Sequence, residues 1–196
     1  MTQTPFDSSL PARSPVIGSG LLDLLNDPDP VRLKSVVLEG AVREALTGNL
    51  PFKLAKAFDY AVVHCRGGND CPDGSFELDC THFLCHCLHA AGVKVSQPGA
   101  ECARKLCIRA NDLAAALHNS VGKYTNVQQI GSHAATKRGD ICFIPSWFGL
   151  SKVHAMLLAG TATAEGAAVY GHTSNRCSEL VQFEGAACAY YRIGDA

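Results

Sequence analysis

The stretch Asp79-Cys80-Thr81-His82-Phe83-Leu84-Cys85-His86-Cys87-Leu88-His89-Ala90-Ala91-Gly92 decides how this chain is read. Phe83, Leu84, Cys87, Leu88 and Ala91 recur at three- and four-residue steps, so a helix here can bury one face. Asp79 suits the N-cap, and Gly92 suits the C′ position that ends the helix. Cys80 then falls in the first turn, where unpaired backbone N–H groups and the positive end of the helix dipole favour a thiolate over a thiol. A cysteine hydrolase needs its nucleophile in that position.

Outward from this helix, Arg66 to Glu77 carries Gly-Gly, Asn-Asp, Cys-Pro and Asp-Gly, a loop with several turn signals that leads straight into Cys80 and lines one wall of its cleft. Before it, a helix starts near Pro51, buries Phe52, Ala55, Phe58, Ala61 and Val62, and ends near Cys65. An earlier helix is expected from Asp29-Pro30 to Gly48-Asn49, with Val31, Val36, Val37, Val42, Ala45 and Leu46 at helical spacing. Residues 1–28, rich in Pro, Ser and Asp, read as an extended arm. Downstream, a helix is expected over Arg104 to His118, with Leu106, Leu113 and Leu117 inward. After Gly122 the texture changes to short strands at Asp140–Ile144, Val153–Leu158, Ala167–His172, Glu179–Phe183 and Ala187–Ile193. Helices first and strands second predict an α+β fold: one domain over 29–196, with helices in 29–118 packed on an antiparallel meander in 138–193.

The chain has 196 residues, is 47% hydrophobic and carries a formal net charge of −1, so it can bury an ordinary core. It offers no Lys/Arg block for nucleic acid and no apolar run long enough to cross a bilayer, so neither nucleic acid nor membrane is expected as a partner. Met1 to Gly20 has Asp7, three prolines and no apolar h-region, which is not a Sec signal peptide. Synthesis in the cytoplasm is therefore expected, with any export by a non-Sec route. The ten cysteines lack the paired C-x-x-C spacing of a zinc ribbon. Most, including Cys85, Cys142 and Cys188, read as small core residues. Cys65 with Cys71, and Cys102 with Cys107, are candidate pairs in an oxidising compartment.

A cysteine nucleophile needs a base, and the chain has eight histidines. His154 opens an apolar strand, and His172 ends the next one before the turn Thr173-Ser174-Asn175. Antiparallel neighbours bring the start of one strand beside the end of the next, so His154 is expected as the base and His172 as the residue that orients it, with Asn175 as the substitute. Asp79 and Trp147 are expected at the substrate. Trp147 lies in Pro145-Ser146-Trp147-Phe148-Gly149, whose aromatics can serve the core equally well. His82, Cys85, His86 and His89 lie at helical spacing and invite a zinc reading, but the chain has no His-Glu-x-x-His there. No metal is assigned on this reading, and His86 and His89 are placed at the surface. Arg138-Gly139-Asp140 is read as a turn into a strand and not as an adhesion motif.

Asp79-Cys80-Thr81-His82-Phe83 followed by Cys87-Leu88-His89-Ala90-Ala91-Gly92 resembles the nucleophile helix of papain-like cell-wall amidases, the NlpC-type peptidases and the related putative amidase domains. Lys137-Arg138-Gly139-Asp140-Ile141 resembles the Gly-Asp that opens their first sheet strand. Val153-His154-Ala155-Met156 resembles their catalytic histidine strand, and Tyr170-Gly171-His172-Thr173 the His-Thr of the amidase branch. The likeness covers roughly residues 50–193 in order. It implies a papain-like fold, a Cys80–His154–His172 triad without a cofactor, and cleavage of an amide bond in peptidoglycan peptides. Delivery by a dedicated secretion system, as for interbacterial toxins, would go with a secretion partner and an immunity protein that inhibits the enzyme. An idle papain-fold module that binds a peptide, and an amidase of non-wall peptides or isopeptides, are the alternatives. His82 departs from the family's usual small residue at that position. The nearest upstream tyrosine, Tyr60, falls inside a helix, so the second oxyanion donor has no assignment.

Overall fold

Gly92 anchors the middle of the molecule. The computed structural model describes residues 37–39, 48–68, 70–76, 79–145, 153–183 and 187–196. Among these, helices α1 (Leu54–His64), α2 (Cys80–Ala90) and α3 (Ala110–Ser120) pack with strands β1 (Val37–Glu39), β2 (Lys94–Ser96), β3 (Val127–Ile130), β4 (Ile141–Pro145), β5 (Val153–Leu158), β6 (Gly166–Gly171), β7 (Arg176–Gln182) and β8 (Ala189–Ile193). Helix α2 ends in a Schellman motif: Gly92 N–H donates to the His89 carbonyl at 3.0 Å, and Val93 N–H to the Leu88 carbonyl at 2.9 Å. Gly92 has φ +102°, and a Cβ there would lie 2.2 Å from the Pro51 carbonyl oxygen, so only glycine lets the chain turn this close to α1.

The apolar spacing of α2 suggests one buried face, but the helix is buried all round from Cys80 to Leu88. It lies between α1, β2, β5 and β6 and so forms the centre of the core. Phe83, Leu84 and Leu88 are fully buried there, each worth about 1.5–3 kcal/mol of transfer free energy. Helix α1 follows the expected span, but with a shifted face: Ala57, Phe58 and Ala61 are buried, whereas Ala55 and Val62 are exposed.

The molecule is α+β, as read from the sequence, and all strand pairings are antiparallel. The six-stranded sheet has the order β3-β8-β4-β5-β6-β7. It is a meander only from β4 to β7, because β8 returns to lie between β3 and β4, and the sheet begins at Val127 and not near residue 138. Polar Gln128 and Gln129 hid β3, whose ladder to β8 supplies order that its side chains do not signal.

Two further expectations are corrected. The helix from Asp29 to Gly48 is contradicted at Val37–Glu39, which pair with Lys94–Ser96 as β1, in keeping with the strand preference of Val36-Val37. The remainder of that helix and the arm over 1–28 lie outside the described residues. The helix expected from Arg104 begins only at Ala110. Residues 101–107 instead form a tight hairpin, in which Cys102 N–H bonds the Leu106 carbonyl and Glu101 bridges Cys107, so Leu106 is buried from a loop.

The Gly-Asp that opens β4 has a structural job. Gly139 has φ +92°, and a Cβ there would lie 2.4 Å from Leu54. Asp140 is fully buried; it accepts from Arg192 Nε and Nη2, both at 2.7 Å, and from Lys137 N–H at 2.9 Å. Arg138 stacks over Phe58 at 4.0 Å from the ring centroid. Gly139 and Asp140 are therefore buried in a turn into β4, and only Arg138 of the tripeptide is exposed. Asp140→Ala should lower stability by about 3 kcal/mol, the low end for a broken buried pair, because Arg192 keeps some solvent. Urea unfolding at neutral pH measures this, and a loss below about 1 kcal/mol would show the pair to be dispensable.

Candidate active site

Cys80 is the first residue of α2, and His154 is the second residue of β5, opposite Ile144 of β4. Helix α2 packs against β5 with Cys80 near the start of that strand, where the Cys80 thiol and the His154 ring come close enough to shift one another's protonation. The Cys80 sulfur lies 3.8 Å from Thr81 Oγ1, and the backbone N–H of Ala155 favours its thiolate. Burial pushes the Cys80 thiol up, since the residue is only 6% exposed, but His154, the Ala155 N–H and Thr81 together hold it below the ordinary thiol value. The neighbouring Cys80 in turn raises the exposed His154 ring above the ordinary imidazole value, against partial desolvation and the nearby Arg176 charge. Both shifts favour a thiolate–imidazolium pair. No local signal in the sequence marks Arg176, whose charge bears on His154 from the start of β7, after the turn that follows His172.

These directions set a pH profile. The thiolate is gained as pH rises through the lowered Cys80 value, and the imidazolium is lost as pH rises through the raised His154 value. Alkylation by iodoacetamide needs only the thiolate, so labelling of Cys80 should have its midpoint below that of an ordinary thiol. His154→Ala should move that midpoint up. Cys188, partly exposed and also lowered, serves as the internal control that His154→Ala leaves unchanged. Peptide mapping across pH reads both sites, and an unmoved Cys80 midpoint would remove His154 as its partner.

The third member of the expected triad is elsewhere. His172 is buried, with Nδ1 at 2.5 Å from Asp79 Oδ2 and Nε2 donating to the His64 carbonyl at 2.7 Å, so both ring nitrogens are engaged away from His154. The register explains this placement. β5 and β6 pair Leu157 with Tyr170 and Leu158 with Val169. Continued past Gly171, which sits on Met156, that register puts His172 across from Ala155 and not from His154. Opposite residues share a face, so a single step turns His172 toward the helices, where it stacks on Phe83 at 4.1 Å. Asn175, the substitute, packs against Gly67.

Asp79 stands at the N-cap position but makes no capping hydrogen bond with its side chain. It is 3% exposed, and its oxygens accept from Phe76 N–H at 3.0 Å, His82 Nδ1 at 2.7 Å and His172 Nδ1. Burial alone would raise its carboxyl, but these donors hold it well below the usual carboxylate range. Its expected contact with substrate is corrected accordingly: Asp79 ties the loop before Cys80, helix α2 and the end of β6 together. Trp147 and Phe148 lie outside the described residues.

Tyr60 lies within α1, as expected, donates to Asp70 Oδ1 at 3.0 Å and stacks on His64 and His86. The zinc set His82, Cys85, His86 and His89 does not converge: Cys85 is in the apolar core and His89 is exposed. His86, expected at the surface, is buried. The cysteine pairing also differs. Cys65 bonds Cys177, 112 residues away, whereas Cys71, Cys102 and Cys107 are in no disulfide. Cys85 and Cys142 are buried as expected, and Cys188 only partly so.

Comparison with protein-family models, curated proteins and solved structures finds no match to this chain.

Proposed function

We propose that this protein is a papain-like cysteine hydrolase of the NlpC type that cleaves an amide bond in peptidoglycan peptide stems. The observation that carries this reading is the Cys80 thiol at the start of α2 beside the His154 ring at the start of β5, each holding the other toward its charged form. His154 takes the Cys80 proton, and the thiolate attacks the amide carbonyl to form a C–S bond. Backbone N–H groups in the first turn of α2 face the developing oxyanion; loss of one such donor costs about 3 kcal/mol in hydrolases of this kind. The C–N bond then breaks as His154 returns the proton to the leaving amine. Water, deprotonated by His154, cleaves the thioester and restores the thiol. His172 leaves the triad in this account and acts by holding Asp79, the residue immediately before the nucleophile.

The disulfide Cys65–Cys177 supports a destination outside the reducing cytosol, and so favours the wall over a cytosolic peptide as substrate. No helix among the described residues is long and apolar enough to cross a membrane. Export by a non-Sec machine, with a secretion partner and an inhibitory immunity protein, is part of the same proposal. Digestion of purified muropeptides by wild type and by Cys80→Ala, read by mass spectrometry, tests it and names the bond.

A further inference from the structure

The side chains of Cys71, His82, His86 and Cys102 converge, with one ligand atom from each within 4.8 Å of every other. Cys71 comes from the loop before α2, His82 and His86 from adjacent turns of α2, and Cys102 from the hairpin after β2. All four are buried. From these observations we propose that this protein holds one structural zinc ion between Cys71, His82, His86 and Cys102.

The imidazoles are oriented as zinc ligands are. His82 Nδ1 lies 2.7 Å from Asp79 Oδ1, and His86 Nδ1 lies 3.3 Å from Asp70 Oδ1. Carboxylates on both Nδ1 atoms turn the Nε2 atoms inward, where they face each other at 3.1 Å. Two such nitrogens so close require either a shared proton or a cation between them. The two sulfurs in reach favour the cation, because a shared proton needs neither of them. Around a tetrahedral zinc with Zn–N of about 2.05 Å, two nitrogens are about 3.3 Å apart, near the spacing seen. The carboxylates are themselves held: Asp70 by Tyr60 at 3.0 Å and Arg104 at 2.9 Å, and Asp79 by Phe76 N–H and His172. Such carboxylate–histidine–metal chains set the tautomer and the basicity of the ligand.

A two-nitrogen, two-sulfur set selects zinc among divalent ions, and four protein ligands leave no open position, so the ion is structural and not catalytic. It would pin the Cys71 loop and the Cys102 hairpin to α2, two residues past Cys80. The proposal does not depend on what Cys80 does.

The test uses the full chain, purified under mild reduction and reconstituted with Zn²⁺ or Co²⁺. Elemental analysis after dialysis should find about one zinc per chain. The cobalt form should show the visible bands of a tetrahedral ion and thiolate-to-cobalt charge transfer in the near ultraviolet. Cys80→Ala should give the same spectrum, Cys102→Ser should lose the charge-transfer intensity of one thiolate or the metal altogether, and Cys87→Ser should change nothing. No retained metal in the wild type, an octahedral cobalt spectrum, or a Cys71–Cys102 disulfide in mapped peptides of the reconstituted protein would each overturn the proposal.

Discussion

Cys80→Ala is expected to leave muropeptides uncut, with turnover reduced on the order of 10⁴-fold or more, because nothing else in the site forms the thioester. The variant should remain folded: it loses one sulfur atom from a helix start whose packing rests on Phe83, Leu84 and Leu88. Far-ultraviolet circular dichroism checks that separately from activity. His154→Ala should cost a comparable factor, and the double variant should be little worse than either single one, since a nucleophile and its base fail as a unit. His172→Ala should behave differently. Its ring is bound to Asp79 and the His64 carbonyl, so its loss should appear mainly as instability, with residual turnover above that of Cys80→Ala. Retained cleavage by Cys80→Ala would remove the hydrolase reading altogether. Equal inactivity of wild type and variant, on a folded protein whose Cys80 labels slowly, would favour the peptide-binding module.

The second large effect concerns the link from Cys65 to Cys177. Cys65 caps the end of α1, and Cys177 lies in β7, one of the two edge strands of the sheet. Closing a loop over 112 residues restricts the unfolded chain by an amount that the chain-entropy model puts near 5 kcal/mol, against a usual measured range of about 2–5. The Cys65→Ala/Cys177→Ala protein should therefore lose at least about 2 kcal/mol in urea unfolding without reductant. Equal stability of the two proteins would show the link to be absent or irrelevant. The bond also holds α1 beside the turn that follows β6, where the His64 carbonyl receives His172. A reductant strong enough to break it should therefore lower stability even while it protects the Cys80 thiol.

Several features were legible in the residues themselves. Asp79, Gly92 and the spacing between them predicted α2 to within a residue, because helix ends are set by local backbone chemistry. The apolar stretch Val153–Leu158 marks β5 to its limits, and Gly139-Asp140 marks the turn into β4. Cys80 at a helix start and His154 at a strand start stand out by position and by family resemblance, and only tertiary packing sets them side by side. Other features depend on which surfaces meet. The partner of His172 turns on a register difference of one residue, which flips a side chain to the other face of the sheet. The partner of Cys65 lies across 112 residues, and its nearer neighbour Cys71 converges with Cys102 and two histidines of α2. The signal for that cluster was His82 and His86 one helical turn apart, with a cysteine on each side in sequence; its membership required the loop and the hairpin to fold back over α2. Local spacing thus determined α2, β5 and the turn into β4, but not β1, β3 or the start of α3. Pairing register, cysteine partners and the buried polar cluster were decided only by long-range packing, because those contacts join segments whose separation along the chain carries no periodic signal.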